Sequence, residues 1–203
     1  MSNGLRERKK RQTRAALIRA ALELCETKGV EAVTVADIAD AADVSRRTFF
    51  NYFATREEAI LGSGADRSER LVACLNERPA GEPAWEALRA AFATFLSETD
   101  EPQREWMARA RLVRANPSLL DQQRADFAEM EQRLVAGIVG RTGEDLGALE
   151  PRLLVGAAVT TVRVAVNHWI DTPSDIALAD AIDHALARMA AGCGALATPI
   201  RNP

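Results

Sequence analysis

Proline and helix-capping residues cut this chain into segments whose apolar residues recur with helical spacing, and none alternates as a strand does. Pro83, Pro102, Pro117 and Pro151 each stand at the head of such a segment, where a first helical turn has no use for the missing amide hydrogen. Upstream, a helix from about Thr13 to Lys28 carries Ile18, Ala21, Leu22 and Cys25 on one face, and Gly29 sits where a left-handed residue closes a helix. Thr34 followed by Asp37 reads as a capping box for a short helix from Val35 to about Ala42, with Val35, Ile38 and Ala39 turned inward. Asp43-Val44-Ser45 makes a tight turn, and Ser45 caps a second short helix from Arg46 to about Phe53. A further helix begins near Thr55, with Glu57 and Glu58 where the helix dipole favours acids. Ser174 caps the last helix, which sets Ile176, Ala179, Ile182 and Met189 along one side. The expected fold is all-α, with about nine helices.

Composition narrows the class further. At 203 residues and 47% apolar the chain can bury a real core. Its uninterrupted apolar runs fall far short of the roughly 20 residues a membrane span needs, and its charged N-terminus lacks the apolar stretch of a secretory signal. Cys25, Cys74 and Cys193 form no paired framework, and His168 and His184 offer little to a metal. A reduced, cytoplasmic protein with no metal, no cofactor and no membrane partner is expected. No GxSxG, phosphate-binding loop or dinucleotide fingerprint points to an enzyme. Net charge is −3, yet residues 1–60 carry +2, and residues 5–14 hold six basic side chains beside one acid, Glu7. A basic end on an acidic body points to a polyanion.

The segment Thr34–Ala59 names that polyanion. Two short helices joined by a tight turn, the second rich in donors, describe a helix-turn-helix whose second helix enters a DNA major groove. Arg46 and Arg47 are placed to reach base edges. Thr34, Ser45, Thr48, Asn51, Tyr52 and Arg56 are candidates for phosphate contacts, while Val44, Phe49 and Phe53 anchor the helix to the core.

Residues Thr13–Leu61 resemble the DNA-binding domain of the TetR family of bacterial regulators. The likeness rests on Thr34, Ile38, Ala39, Ala42, Val44, Ser45, Thr48, Phe49, Tyr52, Phe53, Thr55 and Glu57, at the family's spacing. Four positions depart from it: Asp43 replaces glycine in the turn, Phe50 a tyrosine, Arg56 a lysine and Cys25 a phenylalanine. The resemblance implies three parts: a basic flexible arm (1–12), a helix-turn-helix domain (13–61), and a ligand-binding and dimerisation domain (62–203). The arm could track phosphates or enter the adjacent minor groove.

In the third part, Pro151–Ile170 is apolar nearly all round, so it is expected to be buried on one side and to meet a twofold partner on the other, together with the last helix. Thr160, Arg163 and Asn167 form a polar stripe on it, with Arg163 expected to be buried against an acid or an anionic ligand. Trp106, Arg109, Phe127, Met130, Arg163 and Asn167 are the candidate ligand pocket. The segment also resembles the subgroup whose C-terminal domain takes acyl-CoA-like ligands, to which a mycofactocin-system regulator belongs. The resulting expectation is a cytoplasmic bacterial repressor, nucleoid-associated when bound to operator DNA, homodimeric, and released by a small-molecule effector. A thiol-based redox regulator, or a helical enzyme or scaffold without DNA binding, is the alternative.

Overall fold

The computed structural model describes residues 2–192 apart from Ser63, residues 99–102, Glu144, Leu146 and residues 173–175. Among these residues there is no strand. There are ten α-helices: α1 (Ser2–Lys28), α2 (Val35–Ala41), α3 (Arg46–Phe50), α4 (Arg56–Leu61), α5 (Gly64–Asn76), α6 (Ala84–Ser97), α7 (Gln103–Ala115), α8 (Pro117–Thr142), α9 (Leu149–Asp171) and α10 (Leu178–Ala190). A 3-10 turn, Val30–Ala32, links α1 to α2. One helix more than expected arises because Gly62 adopts the left-handed conformation (φ 77°) and ends α4, where the sequence allowed the helix to run on. Pro83 caps α6 and Pro117 opens α8, as their missing amide hydrogens favour. The expected roles of Pro102, Ser174 and Cys193 lie outside the described residues.

The helices form two compact units, and the division does not follow a single cut in the sequence. One comprises Met1–Arg67 with Glu101–Ala128, the other Ser68–Asp100 with Glu129–Pro203. In the first, α1 packs on α2, α4 and α7. Its core joins Leu17, Ala21, Leu22 and Cys25 of α1 to Ile38, Phe49, Phe53, Ile60 and Leu61, and takes in Val113 of α7 and Leu119 of α8. Leu17 rather than Ile18 is the fully buried position, so the inward stripe of α1 starts one residue earlier than its apolar pattern indicated. Residues 2–12 are a continuation of α1 rather than a separate arm.

Two glycines join α4 to α5 at close quarters. A Cβ on Gly62 would meet the Arg109 guanidinium at 3.3 Å, and one on Gly64 would lie 2.3 Å from Cγ of Asp126 on α8. Arg109 is buried and its Nε donates to the Ile60 carbonyl at 3.0 Å, so α7 holds the last turn of α4.

In the second unit α10 packs on α9 and α6. Arg89 of α6 makes a bidentate pair with Asp183 of α10 at 2.6 and 2.9 Å, which holds the carboxyl below its ordinary range. Arg141 of α8 donates to the carbonyls of Leu75, Arg78 and Pro79, closing the C-terminal end of α5. The last helix buries Ile182 and Leu186, whereas Ile176 precedes it and is exposed, its carbonyl accepting from Trp169 Nε1 at 2.8 Å. Contrary to the reading of apolar runs, α9 is long and apolar enough to cross a membrane by length and composition. Its Val155, Ala158, Val159, Ala165 and Trp169 are buried within the unit. Gly64→Ala is expected to lower stability by about 1–3 kcal/mol, because Asp126 and the α8 backbone must retreat. Thermal denaturation checks this.

Candidate nucleic-acid interface

A five-residue helix is held in place by its ends and one inner face. Ser45 Oγ accepts from Thr48 N at 3.0 Å and lies 2.9 Å from Thr48 Oγ1, so both hydroxyls serve the N-terminus of α3. The preceding turn closes through Val44 N donating to Ala39 O at 2.9 Å, with Asp43 at φ 53° in the left-handed position usually filled by glycine. Inside, Phe49 and Phe53 are buried with ring centroids 5.7 Å apart. Arg46, Arg47, Phe50 and Asn51 are exposed, while Thr48 and Tyr52 are half-buried at the edge of that face. The first turn of α3 thus presents two unengaged guanidinium groups among the described residues, a suitable arrangement for base edges. Phe50 was noted only for lacking a hydroxyl, yet at 58% exposure it is the large apolar side chain of this surface.

Two expected phosphate donors turn out to be engaged within the domain. The Thr34 hydroxyl donates to Asp37 Oδ2 at 2.5 Å, and Asp37 N donates back to it at 3.2 Å, completing the capping box of α2. Arg56 is the larger correction. Its Nη1 donates to Val30 O at 2.8 Å and Val33 O at 2.7 Å, and its Nε to Glu57 Oε1 at 2.7 Å. This guanidinium ties α4 to the link between α1 and α2 instead of offering itself to DNA. The contacts lie 23 and 26 residues away in sequence, so no local pattern announces them. Arg14 was also missed as a brace: it pairs with Asp66 at 2.7 Å and lies 4.6 Å over the Phe53 ring.

The candidate ligand pocket is not assembled as expected. Arg109 is taken up by Ile60; Trp106, Phe127 and Met130 are half-buried; Arg163 and Asn167 are exposed on the outer face of α9. The burial assigned to Arg163 is therefore not found within one chain, because the stripe it shares with Thr160 faces away from the core of its unit. Two open clefts are lined by none of the six. One of about 610 Å³ runs between α1 and α7 beside Arg19, Glu23, Glu26 and Arg111. The other, of about 640 Å³, lies between α5 and α8 beside Arg78, Arg133 and Arg141.

Burial pushes the Cys25 thiol up to about 11 and raises that of Cys74 too, so neither supplies the thiolate a redox switch requires. Among the described residues no cluster of His, Cys, Asp and Glu could hold a metal ion.

A capped, outward-facing α3 on a buried aromatic base, followed by an all-helical body, defines a helix-turn-helix DNA-binding regulator. Residues 17–60 match the bacterial regulatory proteins of the tetR family, and residues 82–194 match the MftR C-terminal domain. The transcriptional regulator TcmR of Streptomyces glaucescens is 40% identical over 173 residues, which span 82% of this chain and 76% of TcmR. Among solved structures, FadR of Thermus thermophilus, a TetR-family repressor in complex with lauroyl-CoA, aligns with a TM-score of 0.52 at 22% identity, covering 94% of this chain and 97% of that one. The fatty acid degradation regulator FadR of Bacillus halodurans gives 0.57 at 16%, covering 94% and 97%. At these identities the structural likenesses speak for the fold alone. The chain belongs to the TetR family of transcriptional regulators.

Two outcomes follow from the caps and braces. Hydrogen bonds from Thr34, first from its hydroxyl and then from its backbone amide, draw the Asp37 carboxyl down to about 2, with Lys28 assisting. A carboxylate held below its unfolded value of about 3.9 stabilises the fold above that pH and ceases to as pH falls toward 2. Asp37→Asn should therefore melt below the wild type by a constant margin above about pH 5, the margin closing toward pH 2. Arg56→Ala should cost about 1–3 kcal/mol by stranding the Val30 and Val33 carbonyls, while DNA affinity of the folded protein stays within a few-fold in a titration.

Proposed function

We propose that this regulator is a homodimeric repressor that reads its operator through α3 and is released by a hydrophobic, acyl-thioester-like effector held in its C-terminal part. The observation that carries the reading is the Ser45-capped α3, with Arg46 and Arg47 outward and Phe49 and Phe53 beneath. Arg46 and Arg47 read base edges in the major groove. Thr48, Asn51 and Tyr52 fix the helix on the phosphates, and Phe50 offers an apolar contact of the kind a thymine methyl accepts.

Half-sites about one turn of duplex apart call for a twofold partner. The exposed Leu149, Leu153 and Val164 on α9 favour placing the dimer surface there, alongside α10. Arg163 and Asn167 then belong to that surface and meet the partner chain or an effector's anionic group. Effector chemistry is taken from the lauroyl-CoA complex of the Thermus FadR, whose fold this chain shares.

Release is a population shift: the effector favours an arrangement in which the two α3 helices no longer match the operator spacing. A tenfold loss of operator affinity asks for about 1.4 kcal/mol of differential binding.

Binding-site selection from a random duplex library tests the DNA reading. The wild type should enrich a palindrome, and Arg46→Ala and Arg47→Ala should each lose about 1–3 kcal/mol at one position per half-site. Unchanged selection profiles in both variants would defeat the base-reading assignment. Native mass spectrometry of protein with the selected duplex should show a dimer that leaves the DNA when lauroyl-CoA is added.

A further inference from the structure

We propose that the first three turns of α1 form a second DNA contact, a helix lying along the phosphates that flank the site read by α3; this rests on the DNA-binding reading above. The position comes from Arg14. Its guanidinium sits 4.6 Å over the ring of Phe53, which follows Asn51 and Tyr52 directly, so α1 leaves the domain beside the end of the recognition segment. From there the helix continues back to Ser2, about 16 Å at 1.5 Å per residue, with Leu5, Arg6, Arg8, Lys9, Lys10, Arg11 and Gln12 exposed.

Charge identifies the occupant. Glu7 is the sole acid among the first 22 residues. One acid can neutralise at most one of Arg6, Arg8, Lys9, Lys10 and Arg11, while Arg14 is already paired with Asp66. At least four cations therefore face outward on three turns of helix. They also stand at the helix end where the macrodipole is positive, a placement that works against the helix when it is alone. An anionic surface reverses that penalty, and a duplex beside α3 supplies a row of phosphates about 3.4 Å apart on each strand, long enough to meet the whole extension. Because the segment is helical, it meets the backbone as a rod bearing charges rather than threading the minor groove as an extended strand. The contact therefore adds affinity without reading sequence.

The test uses the full-length dimer and two duplexes that share the selected operator. One ends two base pairs beyond it; the other carries about ten further base pairs of arbitrary sequence on each side. Wild type should bind the longer duplex at least tenfold more tightly at low salt. Combined Arg8→Gln, Lys9→Gln, Lys10→Gln and Arg11→Gln substitutions should remove that difference. They should also flatten the slope of log affinity against log salt by about 3 to 4 per protomer, close to 0.9 for each phosphate released.

Arg8→Lys with Arg11→Lys, which keeps the charge, should behave as wild type, and circular dichroism should show the glutamine variant as helical as its parent. Equal slopes for wild type and glutamine variant would overturn the proposal. So would a strong preference for A·T-rich flanks, which marks minor-groove reading, or charge-dependent binding seen only with phosphatidylserine vesicles. A folded dimer that enriches no duplex in the selection would instead defeat the DNA-binding reading itself.

Discussion

A helix of five residues has no stability of its own in water, since its nucleus costs more than its few hydrogen bonds return. Everything α3 does therefore depends on Phe49 and Phe53 being buried and on Ser45 holding the first turn. Those two rings decide the rotation of the helix, and the rotation decides that Arg46, Arg47 and Asn51 face outward. The surface that meets DNA is thus set from the inside. Arg14 packs on the other side of Phe53, and Arg56 holds α4 against the α1–α2 link, so the small recognition element inherits the rigidity of a larger scaffold.

What could be read from the sequence was local. Thr34 with Asp37, the left-handed Asp43 and the Ser45 cap all act within four residues, and each stands where its pattern indicated. Gly29 has the expected positive φ, although its ψ of 152° belongs to the extended region that glycine alone reaches, so the turn differs from a simple helix closure. Contacts between distant parts of the chain were not legible. Arg56 was taken for a phosphate ligand because its family position suggested one, and Arg109 for a pocket residue because it sat beside Trp106. Their partners are backbone carbonyls, and carbonyls are common to every residue and leave no mark in a sequence.

The long apolar helix α9 shows the same limit. Its hydropathy alone fits a membrane span, a buried core helix or a subunit interface. The structure separates its faces, with Val155, Ala158 and Val159 inward and Leu149, Leu153 and Val164 outward. Arg163 lies with the outward group, which is why a rule for buried charges misplaced it: the helix is greasy on two sides, and the guanidinium sits on the one its own chain leaves uncovered.

The first compact unit draws on residues 101–128 as well as on the N-terminal helices. Val113 and Leu119 complete its core, and Arg109 answers the carbonyl at the end of α4. The DNA-reading half is consequently not a portable cassette. A chimera that borrowed only residues 1–61 would carry an unfilled core and an unmet carbonyl to its new host. A transplant that works must bring α7 and the head of α8 with it, so recombination between relatives would be tolerated at paired crossover points sooner than at a single one.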